Sequence, residues 1–258
     1  MKDSFSFLLA FLLIGSLPNI VTIAEGHSGA GEEMPLWKWE PQQFEEHVAT
    51  VRAGKDLTPE SWPDGKRVAV SLSFDVDTEP VWMGFQGQRS PSYMSRGEYG
   101  ARAAMPRILK LLEKHDIPAS FFIPAITMIL HPEVIERIKA NSNYEIGFHS
   151  YVHENPLNLT EQEERAVYQK AMKIFVEKVG KRPSGFRSAA WDLTPATIRI
   201  VQDMGFLYES SMMADDRPYS LLSNGEETGL IELPVEWILD DWPLFQISWP
   251  SKHVSIRN

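Results

Sequence analysis

In the run Ser73-Phe74-Asp75-Val76-Asp77 two carboxylates stand two residues apart. Val68, Val70, Leu72 and Phe74 alternate with Ala69, Ser71 and Ser73 ahead of them. That is strand periodicity, so Asp75 and Asp77 emerge on one face at a strand's C-terminal end. In parallel α/β folds, sites are built at that end. Two adjacent carboxylates repel, and a cation or a shared proton relieves the repulsion; the bland alternative is a solvated acidic loop. His149 and His153 follow the run YEIGF four residues apart, a spacing that can present both rings to one metal. One Asp with two His leaves coordination positions open for water and substrate, as in a catalytic rather than a structural site. Carboxylate and imidazole suit Zn²⁺ best, with Mn, Fe, Co and Ni also compatible. The third group is Arg187 and Trp191 in GFRSAAWD. Arg187 could orient a carboxylate through a bidentate pair and Trp191 could line a pocket wall, or both could be rim packing.

Positioning these groups requires strands that end beside one another. Strand-like runs are VAVSLSF (68–74), ASFFI (119–123), YEIGF (144–148), SGFRS (184–188) and LIELPV (230–235). Helical patterns lie between them at 101–115, 132–140, 160–179 and 194–204. In the third, Thr160 and Glu163 form a capping box and Gly180 a stop; in the fourth, Thr194 caps a helix with Pro195 at its first position. Repeated β-α-β order implies parallel strands joined by right-handed crossovers.

The chain of 258 residues has no cysteine, 43% hydrophobic and 23% charged residues, and a net charge of −10. This excludes a disordered chain, a disulfide scaffold and a cysteine-ligated metal. It also argues against nucleic-acid partners, which call for clustered Lys and Arg. Residues 1–24 read as a signal peptide: Lys2 precedes the apolar run Phe5–Ile14, too short to span a bilayer, and Thr22 and Ala24 suit a cut after Ala24. The mature chain would then be secreted, with no membrane association. Residues 25–66 read as an arm with a short helix after Pro41, with apolar Trp37, Phe44, Val48 and Val51 at loosely helical spacing and an aromatic side that packs on the main domain. Residues 67–258 form that domain.

In this order, SFDVDTE, HSYVH, GFRSAAW and LDDWP resemble the polysaccharide deacetylases, the NodB-homology or carbohydrate esterase family 4 superfamily. GEYGARAAMPRILKLLEKHDIPASFFIPA looks like its branch of peptidoglycan deacetylase-like proteins, cyclic imide hydrolases and allantoinases. The resemblance covers about residues 60–250. It implies an α/β fold, a distorted (β/α)7 barrel, with one divalent metal on Asp77, His149 and His153. Asp75 would be the base taking a proton from the attacking water, Arg187 would orient Asp75, and Asp241 would join the supporting charge network, with Asp240 competing for that role.

Relatives of this kind supply a further histidine, the general acid, on a late strand beyond the LDDWP segment. Here the only histidine beyond it is His253, in WPSKHVSIRN, outside the expected context. The resemblance with the length therefore predicts a domain lacking its C-terminal strand and helix, and an open barrel edge that an oligomer could cover. The substrate would be a glycan N-acetyl group or a small cyclic imide. An exposed aromatic groove of Trp82, Tyr93 and Trp191 would favour sugars, and a closed pocket would favour imides. Two other readings are a carbohydrate-binding relic without turnover and a glycosyltransferase holding Mn²⁺ on Asp-x-Asp; the latter gives His149 and His153 no role.

Overall fold

The computed structural model describes residues 34–245; the signal-peptide reading and His253 lie outside the described residues. Residues up to Glu40 form a unit of their own. In it a single 3-10 turn, Leu36–Lys38, is followed by Trp39, whose indole N–H donates to the Met34 carbonyl at 3.0 Å.

From Pro41 onward the described residues form one sheet of eight strands. They are β1 (Val51–Asp56), β2 (Ser73–Asp75), β3 (Ala119–Ile123), β4 (Tyr144–Phe148), β5 (Gly185–Phe186), β6 (Tyr208–Glu209), β7 (Tyr219–Ser223) and β8 (Glu226–Glu232). The order is β1-β7-β8-β6-β5-β4-β3-β2. β2 to β6 pair in parallel and β8 joins β6 in parallel, whereas β7 runs antiparallel to β8 and β1. The sheet is not closed: β1 and β2 are its two edges. This is the distorted α/β barrel that the sequence anticipates.

The helices are α1 (Pro41–Ala49), α2 (Pro91–Tyr99), α3 (Met105–His115), α4 (Ala125–Leu130), α5 (Pro132–Lys139), α6 (Glu161–Val179), α7 (Pro195–Asp203) and α8 (Trp242–Phe245). α3 to α7 return the chain between parallel strands and bury Leu109, Ile135, Ile138, Phe175 and Ile198. Those side chains join Phe121, Ile123, Phe148 and Phe186 of the sheet in one core, each buried side chain stabilising by about 1.5–3 kcal/mol. Because side chains alternate along a strand, the opposite positions, Ser120 and Phe122 of β3 and Glu145 of β4, line a central cavity.

Local signals set the boundaries where they are strong. Thr160 and Glu163 exchange hydrogen bonds of 2.9 and 3.3 Å at the start of α6, and Gly180 ends it at φ 86°. β3 and β4 coincide with the anticipated runs. β2 is shorter than the predicted strand 68–74, and Val68 and Val70 are 72% and 79% exposed. Among the described residues β2 has only β3 beside it, and upstream of Ser73 one bond, Ser120 N–H to the Leu72 carbonyl at 3.0 Å, continues the pairing. The helix anticipated from residue 101 begins at Met105, after α2 and a π-helical turn over Gly100–Ala104.

Part of the anticipated arm is β1, paired with β7, and Phe44 and Val48 of α1 are largely exposed. β7 itself escapes the strand reading, although Asn224-Gly225, both at positive φ, marks its hairpin with β8.

Candidate active site

Asp77 lies just past β2, whose pairing Val76 extends by donating its N–H to the Phe122 carbonyl at 2.8 Å. The Thr127 hydroxyl donates to the Asp77 carbonyl at 3.0 Å, and the next residue, Thr78, adopts φ 50°. His149 and His153 occupy the loop after β4, in which Ser150 and His153 take φ of 60° and 61°. Left-handed backbone of this kind persists only where surroundings enforce it. Here Ala125 and Ile126 N–H groups hold the Ser150 and Tyr151 carbonyls at 3.1 and 3.0 Å, and the Glu154 carboxylate accepts from Tyr151 and Val152 N–H at 3.2 and 2.7 Å. Gly84 lets the turn Val81–Phe85 pack on this loop, because a Cβ there would stand 1.9 Å from the Val152 oxygen.

His149 Nε2 approaches Asp77 Oδ1 at 3.4 Å and His153 Nε2 approaches Oδ2 at 3.5 Å. One ligand atom from each of the three residues lies within 4.8 Å of the others. His149 Nδ1–H donates to the Arg187 carbonyl at 2.8 Å. That bond fixes the ring and leaves Nε2 as a bare donor to a metal, the usual outer support of a histidine ligand. Asp77 Oδ1 and His149 Nε2 are buried with no hydrogen-bond partner. Buried polar atoms without partners are costly, so the donor set fits a divalent cation. Burial alone would raise the Asp77 carboxyl, but His153 and His149 outweigh it and leave it lowered. Burial alone would lower His149; Asp75 and Asp77 outweigh it and leave the ring raised.

Asp75 is held at both oxygens. Arg187 Nη1 donates to Oδ1 at 2.7 Å and the Trp191 indole N–H donates to Oδ2 at 3.0 Å. Arg187 is itself buried and fully directed: Nη2 donates to the Ser73 and Ser210 hydroxyls at 3.0 and 2.8 Å, and Nε to the Ser210 carbonyl at 2.8 Å. Its guanidinium lies 4.1 Å over the Phe122 ring. Trp191 reaches Asp75 through a kinked turn in which Ala190 and Trp191 have φ of 57° and 53°.

Asp75, Asp77, His153, Arg187 and Trp191 line an open cavity of about 1730 Å³, with His149 buried behind them. The structure thus brings Asp75, Asp77, His149, His153, Arg187 and Trp191 together. Trp191 is chiefly a donor to Asp75, and its ring packs against Trp237 in a tilted pair at 4.5 Å rather than standing free. Trp82 is not an exposed platform either: it is buried against Tyr93 and Trp242, at 5.4 and 5.5 Å, with Arg96 at 4.2 Å. Tyr93 is half-buried beside it. The exposed aromatic rings that line the cavity are Phe85 and Trp237.

Asp241 is exposed at the rim and is not among the hydrogen-bond partners of Arg187. Asp240 is the more enclosed of the two, and burial with the nearby Asp75, Asp241 and Asp77 raises its carboxyl. Ser73 was legible as a same-face neighbour of Asp75, but Ser210 and Trp237 carry no local signal that points here.

The polysaccharide deacetylase family matches residues 88–208. A peptidoglycan deacetylase of Helicobacter pylori is 31% identical over 201 residues, covering 69% of this chain and 68% of that protein. Among solved structures, a candidate polysaccharide deacetylase of Mycobacterium smegmatis is 35% identical, with a TM-score of 0.68 over 78% of this chain and 70% of that one. The Puue allantoinase is 28% identical, with a TM-score of 0.64 over 74% and 70%.

Proposed function

This chain belongs to the polysaccharide deacetylase family, and from that premise we propose that it is a secreted, metal-dependent hydrolase that removes N-acetyl groups from a glycan. The observation that carries the proposal is a three-ligand cluster beside a carboxylate whose two oxygens are both held by dedicated donors. Asp77, His149 and His153 would hold the metal, for which Zn²⁺ suits the donors best. When bound, the ion supplies Lewis acidity toward a carbonyl oxygen and makes water more acidic.

The chain's own residues do the rest. Asp75 accepts a proton from the attacking water, using lone pairs that Arg187 and Trp191 leave free, since an ionised carboxylate offers about four. Arg187 and Trp191 keep that carboxylate from turning away. Hydrolysis of the amide then yields acetate and a free amine on the sugar. An open cavity of about 1730 Å³, well above the 300–1,000 Å³ or so of small-molecule pockets, supports a polymeric substrate, with Phe85 and Trp237 as stacking faces in place of Trp82. Secretion rests on the N-terminal sequence; among the described residues no helix is long and apolar enough to cross a membrane. The outer edge of β2, which has no second strand beside it among the described residues, is where a second copy would add, which sedimentation reads directly.

A second reading, a small cyclic imide as substrate, is favoured by the likeness to the Puue allantoinase. Acetate release from N-acetylglucosamine oligomers, measured with added Zn²⁺ and after chelation, tests the proposal against succinimide-type imides. Metal-dependent acetate release supports it. Imide opening alone transfers the site to the second reading, and a metal-loaded chain inert on both is a binding protein.

A further inference from the structure

Glu209 ends β6 and Glu232 ends β8, and the parallel register sets them directly side by side. Both are fully buried. The Ser211 N–H serves both, at 2.9 Å to Glu209 Oε2 and 3.1 Å to Glu232 Oε1. Glu232 Oε1 also accepts from Met212 N–H at 3.0 Å, and the Ser211 hydroxyl donates to Glu209 Oε1. Among the described residues neither carboxylate forms an ion pair, and Glu232 Oε2 has no hydrogen-bond partner.

The neighbouring elements supply no counter-charge. β7 presents Tyr219, whose hydroxyl is taken by Ala214 N–H at 3.2 Å, and the segment before β7 presents Asp215, another negative group. α7 meets β8 through the neutral Gln202, and Arg187, just after β5, reaches Ser210 instead of the pair. Two like charges in a dry site without a cation are prohibitively costly, and one proton between them removes the repulsion. Burial, then the adjacent Glu209, push the Glu232 carboxyl well above the ordinary range.

The pair connects to the active site through two serines. Ser210 accepts Arg187 Nε–H on its carbonyl and Nη2–H on its hydroxyl. The Ser211 hydroxyl accepts from Ser188 N–H at 2.8 Å, and Ser188 opens the turn that carries Trp191. Both donors to Asp75 therefore hang from the segment that the two carboxyl groups hold.

We propose that Glu209 and Glu232, sharing one proton, are positioning residues that fix Ser210 and Ser211 and through them the Arg187 and Trp191 donors to Asp75. The inference rests on Asp75 being the base. When the shared proton leaves as pH rises, repulsion between the carboxylates loosens the segment and turnover falls.

The test compares the full, metal-loaded chain with Glu232→Gln, Glu209→Gln and Glu232→Leu over a pH series. Glutamine keeps an acceptor for the amides and donates to the remaining carboxylate without ionising; leucine keeps bulk alone. Glu232→Leu should lower kcat about 100-fold, the scale of a small misplacement at the reacting centre, with KM within about twofold and metal content unchanged. Either glutamine variant should recover most of that loss and lack the decline at rising pH.

Two readouts need no substrate. The Trp191 indole N–H resonance, assigned with Trp191→Phe, should move in Glu232→Leu and stay in Glu232→Gln. The thermal midpoint of the wild type should fall as pH rises above the unfolded Glu value of 4.5, because the folded chain keeps a proton that the unfolded chain releases; Glu232→Gln should lack that component. An unmoved indole resonance in folded Glu232→Leu, or an identical pH slope in Glu232→Gln, overturns the inference. A wild type inert on every amide and imide overturns the Asp75 reading instead, while the resonance and the slope still decide the pair. If Glu232→Leu fails to fold, the slopes of the two glutamine variants decide it.

Discussion

Replacing Trp191 with phenylalanine removes one hydrogen bond from Asp75 and little else. The indole N–H donates to Asp75 Oδ2 at 3.0 Å, while the ring packs against Trp237 at 4.5 Å. Phenylalanine keeps a ring against Trp237 and loses the donor. A hydrogen bond to a charged group contributes about 1.5–3 kcal/mol, and about 1.36 kcal/mol is a factor of ten in rate. Arg187 still holds Oδ1 at 2.7 Å, so the carboxylate stays in place but can turn about the remaining bond. If the lost bond is expressed mainly in the transition state, kcat falls about 10- to 100-fold. KM and metal content should match the wild type, because the indole bonds to Asp75 and to none of Asp77, His149 and His153. The assay is steady-state acetate release from N-acetylglucosamine oligomers, with elemental analysis of the same samples. A kcat within twofold of the wild type would refute the need for a second donor. A rise in KM alone would make Trp191 a substrate contact, the role first read from the sequence.

His149→Ala and His153→Ala should each lose the bound metal, measured by elemental analysis; retention of one ion per chain in both would remove them as ligands. Asp75→Asn should keep the metal and lower turnover by about 10²- to 10⁴-fold, because a carboxamide accepts no proton; full activity would exclude Asp75 as base. Gly84→Ala drives a Cβ to 1.9 Å from the Val152 oxygen, shifts the His153 loop and should weaken metal affinity about 10-fold or more, read by titration with a competing chelator. In the metal-free chain Asp77 sits below its ordinary value, 3.8. Its contribution to stability is present above that value and is lost as pH falls through the lower folded one. Thermal scans under acid should therefore show a steeper decline for the wild type than for Asp77→Asn.

Much of the α/β order was legible because its signals are short-range. ASFFI and YEIGF are strands by their own composition, and α6 and α7 begin at caps a few residues long. That Asp77 after β2 and the His149–His153 loop after β4 share one end of the sheet was legible for a related reason, since residues that follow parallel strands arrive at that end; the choice of Asp77 over Asp75 as the partner of the two histidines came only from the family resemblance. The hairpin of β7 and β8 carries a local signal too, in Asn224-Gly225, which the strand reading passed over.

The family resemblance paired Arg187 with Asp75, but tertiary structure alone decided that Arg187 holds one oxygen rather than both, that Trp191 holds the other, and which aromatic rings face the cavity. Arg187 and Trp191 lie 112 and 116 residues from Asp75, and no local periodicity says which donor meets which oxygen. The strand order and the register of β6 against β8 place Glu209 beside Glu232 and hang Ser210 on Arg187. The packing of Tyr93 and Trp242 buries Trp82, and Val68 and Val70 are exposed upstream of β2, which among the described residues has β3 alone beside it. Backbone preferences act over a few residues, whereas burial and hydrogen-bond pairing depend on what the whole sheet brings alongside, so the chain's local pattern specified the elements and their assembly specified the contacts.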